Sequence, residues 1–349
     1  MKTMKAAVAG GSGKLEVVSV PVPEPGPYEV LCEMCFGATC AGTDIHLMDG
    51  LHPYPVYFPT VLGHESVGRV VAVGNKVRNY KLGDLISRVG CPAIPECGIS
   101  SNWGGFAEYG IAKDHRTMSE DGIPRAEWDK SRVNQVIDPG IDEKTAPMII
   151  TWRETLSYIR RLGVSDGDRV LVIGSGGNAL SLAAHACNTG AEVIAVGSSK
   201  RKDTFGRLNL SEYCDYKDGA ALERLALPEN RPFDYIIDGV GSSGTLNKLI
   251  GNLRKGGTIG VYGWNDRYNY GINPFSAKSG FRVYVDGYDE EESNEEVQKM
   301  ILEGRLSADL WYDMDNPVPL TEITCAYDSL RRHEAIKYLI DLRGGKGNE

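Results

Sequence analysis

The sequence lacks long apolar runs and long basic runs. No apolar stretch reaches the roughly 20 residues that span a bilayer, and Met1–Val8 lacks the apolar segment of a signal peptide. The longest basic stretch is Lys200–Lys202, and 47 acidic residues against 38 basic ones give a formal net charge of −9. We therefore expect a cytoplasmic protein whose partners include neither nucleic acid nor membranes.

Cysteine is scarce and dispersed, with eight residues among 349. This spacing is typical of reduced thiols and not of a disulfide framework. Cys32 and Cys35 form a C-x-x-C pair, but an odd offset on a strand directs their side chains to opposite faces. The segment Cys91–Trp103 offers two cysteines, which cannot build a closed four-cysteine zinc site. We predict no structural zinc.

The chain is long enough for two domains. Hydrophobic residues make up 42% of it, which is sufficient for a sizeable core. Short β-type runs broken by glycine and proline fill the region up to Thr145 and predict a mainly antiparallel β domain. Beyond Thr145, apolar strand patterns alternate with helical ones, which predicts a doubly wound parallel sheet.

A glycine-rich turn follows the first strand of this second region. Arg169–Ile173 runs into Gly174-Ser175-Gly176-Gly177-Asn178-Ala179 and then into a helical pattern. Gly174 permits a tight turn, Gly176 lets the backbone approach a pyrophosphate, and Ala179 allows close packing of helix and strand. We predict a dinucleotide site here, including Gly177. The alternative is a tight glycine turn that binds nothing.

The end of the next predicted strand indicates which dinucleotide binds. An NAD site usually has an acidic residue there, but this chain reads Val196-Gly197-Ser198-Ser199-Lys200-Arg201. Small hydroxyl donors and two cations suit the 2′-phosphate of NADP, which an acidic residue would repel. We predict NADP(H) rather than NAD. The alternative is that Lys200 and Arg201 are only solvated loop residues.

Four further segments carry a family resemblance. They are Cys40-Ala41-Gly42-Thr43-Asp44-Ile45-His46, Gly63-His64-Glu65-Ser66-Val67-Gly68-Arg69-Val70, Val77–Asp84 and Gly104-Gly105-Phe106-Ala107-Glu108-Tyr109. Together with the glycine-rich turn they resemble the medium-chain dehydrogenase/reductase superfamily, particularly its zinc-type alcohol and polyol dehydrogenases, over nearly the whole chain.

The resemblance implies an α/β protein of two domains. A GroES-like, mainly β catalytic domain would comprise residues 1–145 and 288–349, and a Rossmann domain with a doubly wound parallel sheet would comprise residues 146–287. It also implies a small-molecule alcohol or ketone substrate and a homodimer or homotetramer. In NADP-type relatives a residue resembling Tyr216 holds the adenosine phosphate, and turns resembling Gly239-Val240 pass beneath the nicotinamide.

A zinc ion with three protein ligands and one open position could polarise an alcohol or carbonyl oxygen. Cys40, His64 and Glu65 are the candidate ligands. The chain departs from the family motif by one additional residue between Cys40 and Thr43, so that counting back from Thr43 places Ala41 in the ligand position. A β-bulge could absorb that residue and leave Cys40 able to reach the metal.

The third ligand and the presence of the metal stay open. Glu154 lies one helical turn beyond the position where polyol-type relatives have a glutamate, so Glu65, Glu154 or another residue could complete the site. Alternatively, the metal is lost, and His64 and Glu65 belong to a polar network.

Three further residues are candidates for proton transfer and orientation. Thr43 could take the alcohol proton and pass it towards His46, while Asp44 could orient the imidazole of His64. We therefore expect an NADP(H)-dependent dehydrogenase that interconverts a secondary alcohol, polyol or sugar and its ketone. The alternatives are a zinc-free reductase of enones or quinones and an NADPH-binding protein without turnover.

Overall fold

The computed structural model describes residues 2–227 and 231–344. The chain divides into two compact units, Met1–Ile150 with Asn294–Glu349, and Thr151–Ser293. The strands are β1 Thr3–Gly11, β2 Lys14–Pro21, β3 Glu29–Ala38, β4 Thr60–Val61, β5 Glu65–Val73, β6 Leu85–Ser87, β7 Ser100–Ser101, β8 Tyr109–Lys113, β9 Arg169–Ile173, β10 Glu192–Gly197, β11 Glu212–Asp215, β12 Phe233–Asp238, β13 Leu253–Val261, β14 Arg282–Tyr284, β15 Val318–Pro319 and β16 Leu339–Asp341.

The helices of the described residues include short and long segments. They are α1 Ala41–Met48, α2 His115–Glu120, α3 Met148–Leu162, α4 Gly177–Asn188, α5 Lys202–Phe205, α6 Gly219–Ala226, α7 Ser243–Leu249, α8 Asn294–Leu302 and α9 Ile323–Arg331. None of these helices is both long and apolar enough to cross a membrane.

The first unit contains two sheets. One has the strand order β2-β1-β4-β7, and the other has the order β15-β16-β3-β5-β6 with β8 also paired to β3. Most neighbours are antiparallel, which confirms the predicted mainly β domain. Ala38 at the end of β3 lies opposite Glu65 of β5 and Leu339 of β16. Three segments that are distant in sequence therefore meet at this end of β3.

The additional residue near Cys40 is not accommodated by a bulge at that position. The register shifts of β3 against β5 fall at Leu31/Cys32 and Met34/Phe36, before the strand ends. Cys40 instead stands immediately before α1 in an extended conformation, with φ −123° and ψ 99°. The residues between Cys40 and Thr43 belong to the first turn of α1, where no ladder register has to be kept.

The second unit confirms the predicted doubly wound sheet. Its six strands are all parallel, in the order β11-β10-β9-β12-β13-β14. The order reverses between β9 and β12, and ligands of such sheets bind outside the carboxyl ends of the strands at this reversal. All five residues of β9 are buried, as expected of a central parallel strand. The glycine-rich turn therefore lies at the switch point.

Candidate functional site

Three side chains of the first unit form a compact set of metal-binding groups. One ligand atom from each of Cys40, His64 and Glu65 lies within 4.8 Å of the others, and all three residues are buried. Among residues 2–227 and 231–344 this is the one group of three or more such side chains. The set holds thiol, imidazole and carboxylate donors, which suit zinc.

Close packing around glycine brings His64 into this set. Gly63 has φ +94°, and a Cβ there would lie 2.6 Å from the ring of Phe106. A Cβ at Gly105 would lie 2.4 Å from Ser66 Oγ. Glycine is therefore needed at both positions for the segment around Gly63 to pack against the segment around Gly105. This requirement gives a physical reason for the Gly63-His64-Glu65 and Gly104-Gly105-Phe106 motifs.

Asp44 lies behind the imidazole and is itself held by two donors. His64 Nδ1 is 3.3 Å from Asp44 Oδ1. Asp44 Oδ2 accepts hydrogen bonds from the Cys40 backbone N–H at 2.9 Å and from the Tyr327 hydroxyl at 2.5 Å. Burial raises the pKa of Asp44, but His64, Tyr327 and Cys40 lower it more. The carboxylate is therefore kept ionised and can orient the imidazole.

The charges around His64 favour a cation in the site. Burial lowers the pKa of His64, but hydrogen bonds and charge interactions with Asp44 and Cys40 raise it well above its ordinary value. His64 Nε2 lies 3.6 Å from Glu65 Oε1, on the side of the ring that faces away from Asp44. A metal ion bound at Nε2 would supply the positive charge that these groups favour.

Lys337 forms a buried ion pair with Glu65. Its ammonium lies 2.6 Å from both carboxylate oxygens and donates to the Thr39 carbonyl at 3.2 Å. Both side chains of the pair are 2% exposed. Burial lowers the pKa of Lys337, but Glu65, Cys40 and Asp44 raise it more, so that it stays charged.

Sequence reasoning missed both Lys337 and Tyr327. Each lies more than 270 positions from its partner, because |i−j| is 272 for Lys337 and Glu65 and 283 for Tyr327 and Asp44. No local pattern marks either residue. Only the pairing of β16 with β3, and the packing of α9 beside α1, could have shown them.

The structure places the predicted proton-transfer residues on α1. Thr43 Oγ1 lies 3.6 Å from Cys40 Sγ, at the edge of the metal-binding set. His46 is three residues further along the helix and therefore on the same side as Thr43. Both side chains are half-buried, and burial is the main cause that lowers the pKa of His46. A neutral imidazole can accept a proton.

Glu154, the alternative third ligand, lies on α3 in the second unit. Its carboxylate accepts a hydrogen bond from the Tyr262 hydroxyl at 3.4 Å and is 8% exposed. The metal-binding set found in the described residues contains Glu65 and not Glu154.

The glycine-rich turn has the geometry of a pyrophosphate cradle. Gly176 stands at the N-terminus of α4, and Gly177 is the first residue of that helix. A Cβ at Gly176 would meet no atom within 4 Å, whereas at Gly174, with φ +128°, it would lie 3.0 Å from the Ala179 Cβ. Open space therefore lies in front of the helix N-terminus, and close packing lies behind it.

Asp238 organises the turn after β12, and sequence reasoning missed this role. Its Oδ1 accepts the backbone N–H groups of Val240 and Gly241, both at 2.9 Å. Its Oδ2 accepts the Tyr270 hydroxyl at 2.9 Å. Gly239 N–H donates to the carbonyl of Ile173 at 2.8 Å, so this turn is tied to the strand that precedes the cradle. The local signal for it was an acidic residue followed by glycine at a strand end.

The end of β10 has cations, hydroxyls and one unexpected carboxylate. Ser198 N–H donates to Ser175 Oγ at 3.1 Å, Lys200 is exposed, and Arg201 is half-buried with its pKa lowered by that burial. Asp215, at the end of the neighbouring β11, accepts hydrogen bonds from the Lys217 backbone N–H and from Ser199, which lower the pKa of its carboxyl. A carboxylate therefore lies near this strand end, although none follows β10 in sequence.

Two tyrosines follow one another closely in this region. The Tyr213 hydroxyl donates to the Ser198 carbonyl at 2.7 Å, and a Cβ at Gly197 would lie 2.5 Å from that hydroxyl. Tyr216, the predicted phosphate-site residue, is 45% exposed and donates its backbone N–H to the Gly197 carbonyl at 3.0 Å. Tyr213 is thus the tyrosine whose hydroxyl contacts the end of β10.

Comparison with known proteins gives matches over most of the chain. The family described as alcohol dehydrogenase GroES-like domain matches residues 26–124. L-galactonate-5-dehydrogenase of Escherichia coli (strain K12) is 26% identical over 347 residues, which cover 97% of this chain and 99% of the relative.

Two further comparisons are informative. NADP-dependent alcohol dehydrogenase C 1 of Mycolicibacterium smegmatis is 28% identical over 273 residues, which cover 74% of this chain and 76% of the relative. The crystal structure of 2R,3R-butanediol dehydrogenase from Bacillus subtilis superposes with a TM-score of 0.78 at 20% identity, covering 97% of this chain and 99% of that one. This structural similarity shows the same fold.

Proposed function

Since the chain belongs to the medium-chain dehydrogenase/reductase superfamily and is an NAD(P)-dependent dehydrogenase of its zinc-type alcohol and polyol class, we propose that it interconverts a secondary alcohol and its ketone with NADP(H) and one catalytic zinc ion. The first unit would be the catalytic domain, and the second unit would bind the dinucleotide. The single observation that carries this proposal is the buried set of Cys40, His64 and Glu65.

Cys40, His64 and Glu65 would hold the zinc ion. When bound, the ion would polarise the oxygen of the alcohol or ketone. Glu65 can serve as a ligand while it remains paired to Lys337, because a carboxylate has about four lone-pair positions and the ammonium uses two of them. Asp44 fixes the orientation of His64 so that Nε2 faces the other donors.

Thr43 and His46 would move the proton of the substrate hydroxyl. Thr43 lies at the edge of the metal-binding set, where its hydroxyl can accept that proton and release its own. His46 would receive the released proton, because burial favours its neutral form in the resting protein.

The second unit would hold NADP(H), the source or acceptor of the hydride. The pyrophosphate would bind at Gly174, Gly176, Gly177 and Ala179, and Gly239-Val240 would pass beneath the nicotinamide. Ser198, Ser199, Lys200 and Arg201 would bind the 2′-phosphate. Support comes from the cations at this strand end and from the relative that is named NADP-dependent. The Asp215 carboxylate would repel the 2′-phosphate, so the preference for NADP over NAD depends on the cations Lys200 and Arg201.

The experiment is a metal analysis of purified protein with matched cysteine variants. We expect one zinc per chain, lost in Cys40→Ala and kept in Cys91→Ala, which removes another buried thiol outside the metal-binding set. Oxidation of secondary alcohols with NADP should be lost together with the zinc. Absence of zinc in the wild-type protein after reconstitution would contradict the proposal.

The ion pair of Glu65 and Lys337 gives some support to a second candidate function, a zinc-free reductase. Because the ammonium contacts both carboxylate oxygens, Glu65 is charge-balanced without a metal. A zinc-free reductase of enones or quinones would use the same fold. Such an enzyme would reduce an enone with NADPH in the presence of a chelator, whereas the proposed enzyme would not.

We also propose a homodimer or homotetramer. Light scattering of the purified protein tests this assignment, and a monomer at micromolar concentration would contradict it.

A further inference from the structure

Trp103 has a backbone conformation that bulky side chains rarely adopt. Its φ is +65°, and Gly104 follows at +71°. Left-handed backbone at a large non-glycine residue is disfavoured and persists only where the surrounding structure enforces it. Such residues cluster at binding and catalytic sites.

Hydrogen bonds and close packing hold Trp103 in this conformation. The Asn102 N–H donates to the Val61 carbonyl at 3.1 Å, and the Gly105 N–H donates to the Gly63 carbonyl at 2.8 Å. A Cβ at Gly90 would lie 1.6 Å from the Trp103 carbonyl oxygen, so the backbone of Trp103 rests directly on glycine. The segment is therefore fixed on both sides, and the direction of the Trp103 Cα–Cβ bond is fixed with it.

The indole is held beside the metal-binding set without being buried. Its ring centroid lies 5.4 Å from that of His64 and 5.9 Å from that of His52, which it meets edge to face. Nevertheless, 43% of Trp103 is exposed. Filling the core therefore does not account for a strained tryptophan at this position. The exposed ring offers an apolar surface next to a candidate zinc ligand.

We propose that Trp103 determines substrate specificity and that it selects a carbohydrate, either a sugar or a polyol, by stacking against its C–H groups. This inference rests on the proposed function and narrows its substrate class. The negative face of an aromatic ring attracts the polarised C–H groups of such a molecule.

The surroundings of the indole suit hydroxyl groups. The His52 ring lies 5.6 Å from the ring of Tyr54, which is 69% exposed and carries a hydroxyl. An apolar ring bordered by the imidazoles of His52 and His64, with the phenol of Tyr54 beyond His52, matches a molecule that is apolar on its C–H side and rich in hydroxyls at its rim. A small alcohol such as 2-butanol needs no stacking surface to reach the metal-binding set.

The test compares three variants on three kinds of substrate. Trp103→Asn replaces the ring by a residue that tolerates left-handed backbone, and Trp103→Phe keeps an aromatic ring. Trp128→Phe is the matched control, because the Trp128 indole lies elsewhere and donates to the Ile123 carbonyl. The substrates are the polyols D-sorbitol and D-arabinitol, then 2-butanol, then 1-phenylethanol. Melting temperature is recorded for every variant.

We expect Trp103→Asn to raise KM for the polyols roughly threefold to tenfold, as the loss of an aromatic contact does. Its kcat/KM for 2-butanol and its melting temperature should stay near the wild-type values. Trp103→Phe should retain most of the polyol affinity, and Trp128→Phe should match the wild-type protein.

Several results would overturn the inference. An equal loss on polyols and 2-butanol would show that Trp103 only supports the fold, and unchanged polyol kinetics would show that it makes no contact. A selective effect on 1-phenylethanol would assign an aromatic substrate instead. Should the wild-type protein oxidise none of these alcohols, the proposed function fails. Calorimetry then decides separately whether Trp103 binds a carbohydrate: loss of polyol binding in Trp103→Asn would support this contact, and absence of binding to the wild-type protein would overturn it.

Discussion

Replacement of Lys337 by methionine tests how the buried charges of the candidate metal site are balanced. The ammonium lies 2.6 Å from both oxygens of Glu65, and both side chains are 2% exposed. Methionine keeps most of the stem volume and removes the charge. Glu65 is then left buried without its counter-charge, which costs about 3–5 kcal/mol for pairs of this kind. We expect the metal-free variant to be less stable by this amount.

Bound zinc should reduce that cost. A divalent cation beside Glu65 supplies a second counter-charge. The difference in free energy of unfolding between Lys337→Met and the wild-type protein should therefore be smaller with zinc bound than without it. Glu65→Gln with Lys337→Met should also be more stable than the sum of the single changes predicts, because no buried charge of the pair remains.

Amide hydrogen exchange in β3, β5 and β16 is the appropriate assay, because it reports the stability of the first unit without assuming that both units unfold together. Equal losses of protection in the metal-free and zinc-loaded forms would refute the reasoning about the metal. Additivity of Glu65→Gln and Lys337→Met would refute the reasoning about the pair.

Three further changes have defined outcomes. Asp114 immediately precedes α2 and accepts hydrogen bonds from the N–H groups of Asn79 and Thr117, which together outweigh its burial and lower its pKa to about 2. This stabilisation, about 2 kcal/mol, is present above the ordinary pKa of an aspartate and is lost as the pH falls towards 2. The stability difference between the wild-type protein and Asp114→Ala should therefore shrink in acid, and a constant difference would contradict it. Asp215→Asn should lower KM for NADPH about threefold with little effect on NADH, since it removes an exposed like charge near the 2′-phosphate; steady-state kinetics with both cofactors check this, and equal effects would argue against a 2′-phosphate near Ser199. Gly105→Ala should destabilise the first unit by about 1–3 kcal/mol through overpacking, whereas Gly42→Ala, whose added Cβ meets no atom within 4 Å, should not; comparable melting temperatures for the two variants would contradict the close-packing argument.

The sequence predicts the parts of the molecule that depend on local patterns. Arg169–Ile173 followed by the glycine-rich turn is one continuous strand, turn and helix, so each residue constrains its neighbours. The short and polar β11 carries the sequence Glu-Tyr-Cys-Asp, which has no apolar alternation, and it was not predicted. The segment Val196–Arg201 has no acidic residue, but Asp215 of the neighbouring strand places a carboxylate near the end of β10.

The candidate metal site was predictable only in part. The Gly63-His64-Glu65 motif is local, and its glycine is explained by the approach of Phe106. The position of Cys40 could not be decided by counting, because the additional residue falls where a strand gives way to a helix. Lys337 lies far from Glu65 in sequence, and the pairing of β16 with β3 brings the two residues together. No local pattern reveals this pairing.

The proposed catalytic zinc ion, held by Cys40, His64 and Glu65, can be located by anomalous diffraction at the zinc absorption edge from crystals grown with NADP. We expect one peak per chain, about 2.3 Å from the Cys40 sulfur and about 2.0–2.2 Å from His64 Nε2 and a Glu65 oxygen. The proposal would be contradicted by crystals that contain bound NADP but show no peak near Cys40, or by a peak whose carboxylate ligand is Glu154.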